Sequence, residues 1–198
     1  MTTLSALFPS LLDEILFWVV FVWVAGVGHV LVILRAGGER QPVRKKGTEP
    51  LVAMLSLFLF GIIVIPILVG YARLGVLPSY LFYPGLVIMV VGFAIYSWGV
   101  LALGHFGSGF VRVIHDHKVI QKGPYRFVRH PVYASEILSF IGLGLALQSW
   151  VALLIILVAA SVYYGNRIRF EERFLASELG DEYFQYMKSV KRIIPHVL

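Results

Sequence analysis

The chain contains no cysteine at all, which excludes a disulfide framework, a thiolate metal site and a cysteine nucleophile, and leaves the redox compartment unreadable. Charge is also scarce: 14% of the 198 residues are charged and 59% are hydrophobic, against about 25% charged and 45–50% apolar in soluble domains. The mean hydropathy is +0.83, so an ordinary soluble domain is excluded and a membrane protein is expected. There is no repeat of 20–50 residues, and one domain over residues 1–198 is the expectation. The opening "MTTLSALFPSLLDEILFW" lacks the basic start and small-residue cleavage site of a signal peptide. It is expected to lead into a retained first span.

What charge there is leans basic, with 17 Lys and Arg against 11 Asp and Glu. These cations cluster beside apolar runs instead of forming a soluble face, which favours anionic lipid head groups and argues against nucleic acid. A helix crossing the hydrocarbon core needs about 20 apolar residues. Residues 15–34, 51–72 and 81–103 meet that need. The stretch 132–166 is too long for one span and is interrupted by Gln148, Ser149 and Trp150; it predicts two shorter helices, 132–147 and 150–166, forming a hairpin. The expected fold is therefore all-α and integral to the membrane, with five transmembrane helices. Ser135, Ser139, Gly142 and Ala146 recur at helical spacing within the hairpin, a small-residue stripe that lets two backbones approach closely.

Orientation follows from lysine and arginine in the short loops. Arg35, Arg40, Arg44, Lys45 and Lys46 follow the first span, Arg112, Lys118, Lys122, Arg126 and Arg129 the third, and Arg167, Arg169, Arg173, Lys188, Lys191 and Arg192 the last. The N-terminal lead carries Asp13 and Glu14, and the hairpin tip carries no charge. The N-terminus is expected outside and the C-terminus in the cytoplasm, which agrees with an odd number of spans.

The segment between the third span and the hairpin holds Gly104, Gly107 and Gly109, too irregular for a nucleotide-binding fingerprint. His115 and His117 flank Asp116, but the i, i+2 spacing points their side chains apart in an extended segment, and no metal site is expected. No spacing of serine resembles a nucleophile elbow. Beyond the hairpin, Arg167 and Glu171 stand four residues apart on one helix face, Gly180 is placed to end that helix, and "DEYFQYM" opens another before Pro195. Taken alone, Arg167 and Glu171 make a surface ion pair worth about 0.2–0.5 kcal/mol.

In order along the chain, "GPYRFVRHPVY" before the hairpin and "RIRFEE" with "LGDEYFQYMKSVKRIIP" after it resemble the isoprenylcysteine carboxyl methyltransferase family, within the wider group that includes phospholipid methyltransferases. The resemblance covers roughly residues 100–195, and the arginine–histidine–proline–x–tyrosine element is its most specific part. It implies an integral-membrane enzyme that uses S-adenosylmethionine without a soluble methyltransferase domain. A cytoplasmic cofactor pocket would form from residues 104–133 and 167–195, and a lipophilic or prenylated substrate would enter from the bilayer. Carried over residue by residue, the cofactor would be held by His117, Lys118, Val119 and Ile120, of which Val119 and Ile120 depart from the family's leucine and valine. Tyr125, Arg129, His130, Pro131, Val132 and Tyr133 would complete the cofactor site, with Glu171 as a carboxylate for its ammonium group. Arg167 would hold the substrate, and Arg167 and Glu171 together would carry catalysis.

A carboxylate acceptor is already a nucleophile, so methyl transfer to it needs no general base; positioning and exclusion of water do the work. An arginine beside the acceptor suits an anion and offers nothing to an amine. O-methylation of a carboxylate such as isoprenylcysteine is the expectation, with phospholipid or other N- or S-methylation as the alternative. Outside methyl transfer, an NADPH-dependent, sterol-reductase-like membrane enzyme and a non-catalytic scaffold remain open.

Overall fold

The computed structural model describes residues 7–27, 30, 34, 61–104 and 119–195. Among these, helix α1 runs Leu11–Val22 and continues as a π turn over Trp23–Val27. Helix α2 covers Gly61–Tyr71, α3 covers Phe82–Leu103 after a 3-10 turn at Ser79–Leu81, α4 covers Pro131–Ala146, and α5 covers Trp150–Ser189. No strand forms among the described residues, only isolated bridges joining Val76 to Ser149 and Val128 to Lys191. Two helices, Ser79–Leu103 and Trp150–Ser189, are long and apolar enough to cross a membrane. Of the expected second span, residues 51–60 lie outside the described residues.

The first helix starts earlier than its apolar run suggests because Ser10 caps it, accepting from the Asp13 backbone N–H at 3.2 Å. Asp13 is buried and also accepts from the Tyr83 hydroxyl at 2.8 Å, which ties α1 to α3. At the same end of the bundle the hairpin turns through Leu147, Gln148 and Ser149. Gln148 has φ +50°, and the Ser149 hydroxyl caps α5 at Ala152 N, 3.1 Å, while donating to the Leu74 carbonyl at 2.5 Å. Gly75, at φ +66°, passes so close to Trp150 that an added Cβ would lie 2.7 Å from its indole nitrogen. The interruption at Gln148–Trp150 is thus a built turn, pinned to residues 74–77 by Leu77 N to Gln148 O at 2.7 Å and Trp150 N to Gly75 O at 2.8 Å.

The small-residue stripe of α4 does bring two backbones together, but across α3, not within the hairpin. Gly85, Gly92 and Gly99 recur every seven residues on α3, so they share one face. A Cβ at Gly92 would lie 2.9 Å from the Ser135 carbonyl and from Ser139 N, and one at Gly142 would lie 2.6 Å from the Gly85 carbonyl. In lipid there is no hydrophobic drive between helices, and such close approach is what holds them. Around this seam Phe17, Phe82, Leu86, Met89, Leu143, Leu147 and Ile156 form one buried cluster, while Ile62, Ala160, Tyr164 and Ile168 form a second toward the polar end.

Helix α5 carries the expected span 150–166 straight on into its polar extension, because nothing in "NRIRFEERFLASEL" opposes helix. It breaks at Gly180, φ +55°, the position expected to end it. A Gly92→Val substitution is expected to lower the unfolding free energy by at least about 1–3 kcal/mol through overpacking. Gly165→Ala, where an added Cβ meets nothing within 4 Å, is expected to cost nothing and to raise it by up to about 1 kcal/mol through helix propensity. Thermal unfolding in detergent of the two variants beside the parent chain checks the contrast.

Candidate active site

At the polar end, the chain enters α4 through a 3-10 turn, Gly123–Arg126, with Pro124 at its start. Gly123 adopts φ +60° against Trp98 and Ala102 of α3, where a side chain would be strained. The turn buries Tyr125, whose carbonyl accepts from the Tyr186 hydroxyl at 2.6 Å. Arg126 stays exposed, 4.5 Å above the Phe127 ring. Residues 128–130 then run beside the tail, with Arg129 N donating to Lys191 O at 2.7 Å and His130 N to Arg192 O at 2.9 Å. Pro131 opens α4, where its missing N–H costs least.

Behind this entry lies a buried carboxylate that the motif alone does not single out. Glu172 Oε1 accepts from Arg129 Nε at 2.9 Å and Nη2 at 2.7 Å, with His130 Nε2 at 3.3 Å. Its Oε2 accepts from Arg192 Nε, 2.9 Å. Arg129 Nη1 further donates to the carbonyls of Met187, at 3.0 Å, and Val190. Burial by itself would push the Glu172 carboxyl up, but the hydrogen bonds from His130 and Arg129 and the Arg129 charge outweigh it and hold it at about 2. Arg129 and His130 therefore point at Glu172, which makes them a clamp on α5 and the tail.

The other face of the entry joins three of the expected residues. The Tyr133 hydroxyl donates to Glu171 Oε2 at 2.6 Å and accepts from Arg167 Nε at 3.2 Å. Arg167 and Glu171 are thus linked through a tyrosine of α4, beyond a mere i, i+4 pair. The Tyr133 ring stacks on His130 at 5.6 Å and lies 5.5 Å from Tyr164, so the clamp sets its orientation. Tyr125 and Tyr183 lie close enough to feel the Glu171 charge; burial first, and that charge second for Tyr125, push the Tyr125 hydroxyl up.

The remaining expected residues fall elsewhere. Val132 packs against Gly99 of α3. Val119 and Ile120 are half-buried, and Val119 N donates to Glu182 at 3.2 Å. His117 and Lys118 lie outside the described residues. An open groove of about 600 Å³, lined by Arg169, Arg173, Arg192, Phe184 and Met187 with Glu172 in its wall, opens on the side of α5 away from Arg167 and Glu171, as a turn of about 100° per residue requires. Glu172, Tyr183, Tyr186 and Arg192 were missed from sequence; the doubled glutamate at 171 and 172 was the one available signal. Among the described residues, no group of three or more His, Asp or Glu is placed to hold a metal ion.

Comparison with known proteins gives a consistent picture. A family model described as phospholipid methyltransferase matches residues 80–182, just over half of the chain. A probable protein-S-isoprenylcysteine O-methyltransferase of Oryza sativa subsp. indica is 28% identical over 117 residues, 58% of this chain and 61% of that protein. The protein-S-isoprenylcysteine O-methyltransferase of Schizosaccharomyces pombe is 31% identical over 111 residues, 49% of this chain and 47% of its own. The aligned stretch thus spans less than two thirds of these relatives. In structure the chain resembles the eukaryotic intramembrane Ras methyltransferase (isoprenylcysteine carboxyl methyltransferase), with a TM-score of 0.58, 23% identity, and coverage of 78% of this chain and 55% of that one.

Removing one partner of a buried, multiply bonded charge costs about 3–5 kcal/mol, and Glu172→Gln is expected to destabilise in that range at neutral pH. The folded carboxyl is depressed to about 2 from an ordinary 4.5, so the stability it lends is complete above about pH 5 and is lost as pH falls toward about 2. Unfolding temperatures followed across that acid range are expected to fall more steeply for the parent chain than for Glu172→Gln. Parallel curves would remove Glu172 from this role.

Proposed function

The chain belongs to the phospholipid methyltransferase family, and on that footing we propose that it transfers a methyl group from S-adenosylmethionine to a lipophilic carboxylate, such as an isoprenylcysteine, presented from the bilayer. The observation that carries this reading is the Tyr133 bridge between Arg167 and Glu171. It gives the end of the hairpin seam one cation and one anion in fixed relation.

The donor set fits the cofactor. S-adenosylmethionine is cationic at sulfur and at its ammonium group and aromatic at adenine, so it asks for a carboxylate beside flat or apolar surfaces. Glu171 would supply the carboxylate, and the half-buried Tyr133 and buried Tyr125 the surfaces. Arg129 and His130 support the site from behind by holding Glu172 and the Tyr133 ring. When bound, the cofactor supplies an electrophilic methyl on a sulfonium.

Arg167 orients the acceptor. Its Nε is committed to Tyr133, which fixes the direction of the guanidinium plane, and a planar fork of fixed direction suits a carboxylate. The acceptor oxygen keeps its own lone pair, so the chain need not remove a proton. Helix packing at the α3–α4 seam and the apolar span of α5 keep water away from that oxygen. On this reading the N-terminus lies outside and the C-terminal half of α5, with the tail, lies in the cytoplasm, because the Lys and Arg residues concentrate on that side.

With methyl-labelled S-adenosylmethionine, the purified protein is expected to label N-acetyl-S-farnesylcysteine, and Arg167→Lys is expected to lower kcat/KM by roughly a hundredfold through misplacement of the acceptor. No labelling by a folded parent chain, or full activity in Arg167→Lys, would contradict this reading.

A further inference from the structure

The open groove between α5 and the tail gathers charge that neither the Glu172 clamp nor the proposed methyl transfer uses. Arg169 and Arg173 line it one turn apart on α5, with Phe184 and Met187 from beyond the Gly180 break. Both arginines are exposed. Like charges four residues apart on a helix oppose each other, and among the described residues neither guanidinium has a hydrogen bond or an ion pair. Glu172, in the wall of the groove, is already neutralised, by Arg129 at 2.7 Å and Arg192 at 2.9 Å. Glu171 and Glu178 fall about 140–180° from both arginines around the helix, and Asp181 and Glu182 follow the break at Gly180. The groove thus carries two positive charges that the described residues leave unbalanced.

The same face of α5 continues into the apolar span. Leu154, Val158 and Val162 are exposed at 52%, 58% and 56%, and at about 100° per residue they share an arc of about 100° with Arg169 and Arg173. Arg169 stands about 10 Å along the axis from Val162. The face therefore sets two guanidiniums directly beyond a strip of exposed hydrocarbon, which is the order of phosphate and acyl chain in a phospholipid. A phosphodiester suits guanidinium forks, and Phe184 with the adaptable Met187 gives the glycerol end an apolar edge. A choline head group would bring a further cation to the arginines, so the charge favours an anionic lipid. A free anion would use the arginines and leave the strip below them without a role.

We propose that this groove is a binding site for one anionic phospholipid, its phosphate held by Arg169 and Arg173 and its acyl chains laid along Leu154, Val158 and Val162. The site requires α5 to span the bilayer and is independent of the methyl acceptor. Because Glu172 and Arg192 form part of its wall, the bound lipid reinforces the junction of α5 with the tail.

The test follows binding to the detergent-purified chain by native mass spectrometry, with dioleoylphosphatidylglycerol, dioleoylphosphatidylcholine and inorganic phosphate as the ligands. The parent chain is expected to bind one phosphatidylglycerol about tenfold more tightly than phosphatidylcholine, the worth of one hydrogen bond between charged groups. Arg169→Gln with Arg173→Gln is expected to abolish that preference. Arg169→Lys with Arg173→Lys, which keeps the charge and loses the fork, is expected to keep part of it. Lys122→Gln with Arg126→Gln removes the same charge from the exposed entry to α4 and is expected to leave the preference intact. Unchanged unfolding temperatures in lipid-free detergent verify that the variants are folded. Equal affinity of the parent chain for the two lipids, or equal loss of preference in the two glutamine variants, overturns the site. Displacement of the lipid by millimolar inorganic phosphate overturns it as well, since the groove would then serve free anions. None of these results depends on whether the chain transfers a methyl group.

Discussion

The buried Glu172 carboxylate is the interaction on which the polar end of the molecule depends. An isolated carboxylate away from water is prohibitively costly, and its neighbours are therefore obliged to come to it. Arg129 and His130 arrive from the entry to α4 and Arg192 from the tail, so three stretches of chain are fixed by one group. Glu171, its neighbour in sequence, is turned by about 100° and faces Tyr133 instead. Two adjacent carboxylates thus have separate partners: Glu172 organises the polar end, and Glu171 accepts from Tyr133, where the proposed cofactor would meet it.

The opposite constraint operates within the apolar part of the bundle, where no charge holds the helices and contact alone must do so. The glycines of α3 admit α4 at backbone distance, which makes that seam rigid. The seam between α4 and α5 is lined differently, with Tyr133 of α4 against Arg167 and Tyr164 of α5. One face of α4 therefore anchors the helix, and the other carries Tyr133 between Arg167 and Glu171. A helix with both faces committed in this way would suit the proposed methyl transfer, which relies on positioning more than on proton transfer.

The helices themselves were largely legible in the sequence, because hydropathy and helix-end chemistry are local. The third span, the interruption at Gln148–Trp150, Pro131 as a helix start and Gly180 as a break all follow from residue type and order. Partner choice was not legible. The stripe Ser135, Ser139, Gly142 and Ala146 announces a close approach without saying to which helix. The partner of Arg129 and His130 was equally hidden: their donors suit a zwitterionic ligand, and only the tertiary fold shows that they meet Glu172. Asp13 read as a charge in a polar lead because its partner, Tyr83, lies 70 residues away.

What makes the account one of methyl transfer is the assignment of Glu171 to the cofactor, and this can be probed without knowing the acceptor. Calorimetric titration of the detergent-purified chain with S-adenosylhomocysteine, beside Glu171→Ala and with NADPH as a control ligand, addresses it directly. The account predicts binding by the parent chain, loss of that binding in Glu171→Ala, and none with NADPH. Undiminished binding in the variant, or a preference for NADPH, would contradict it.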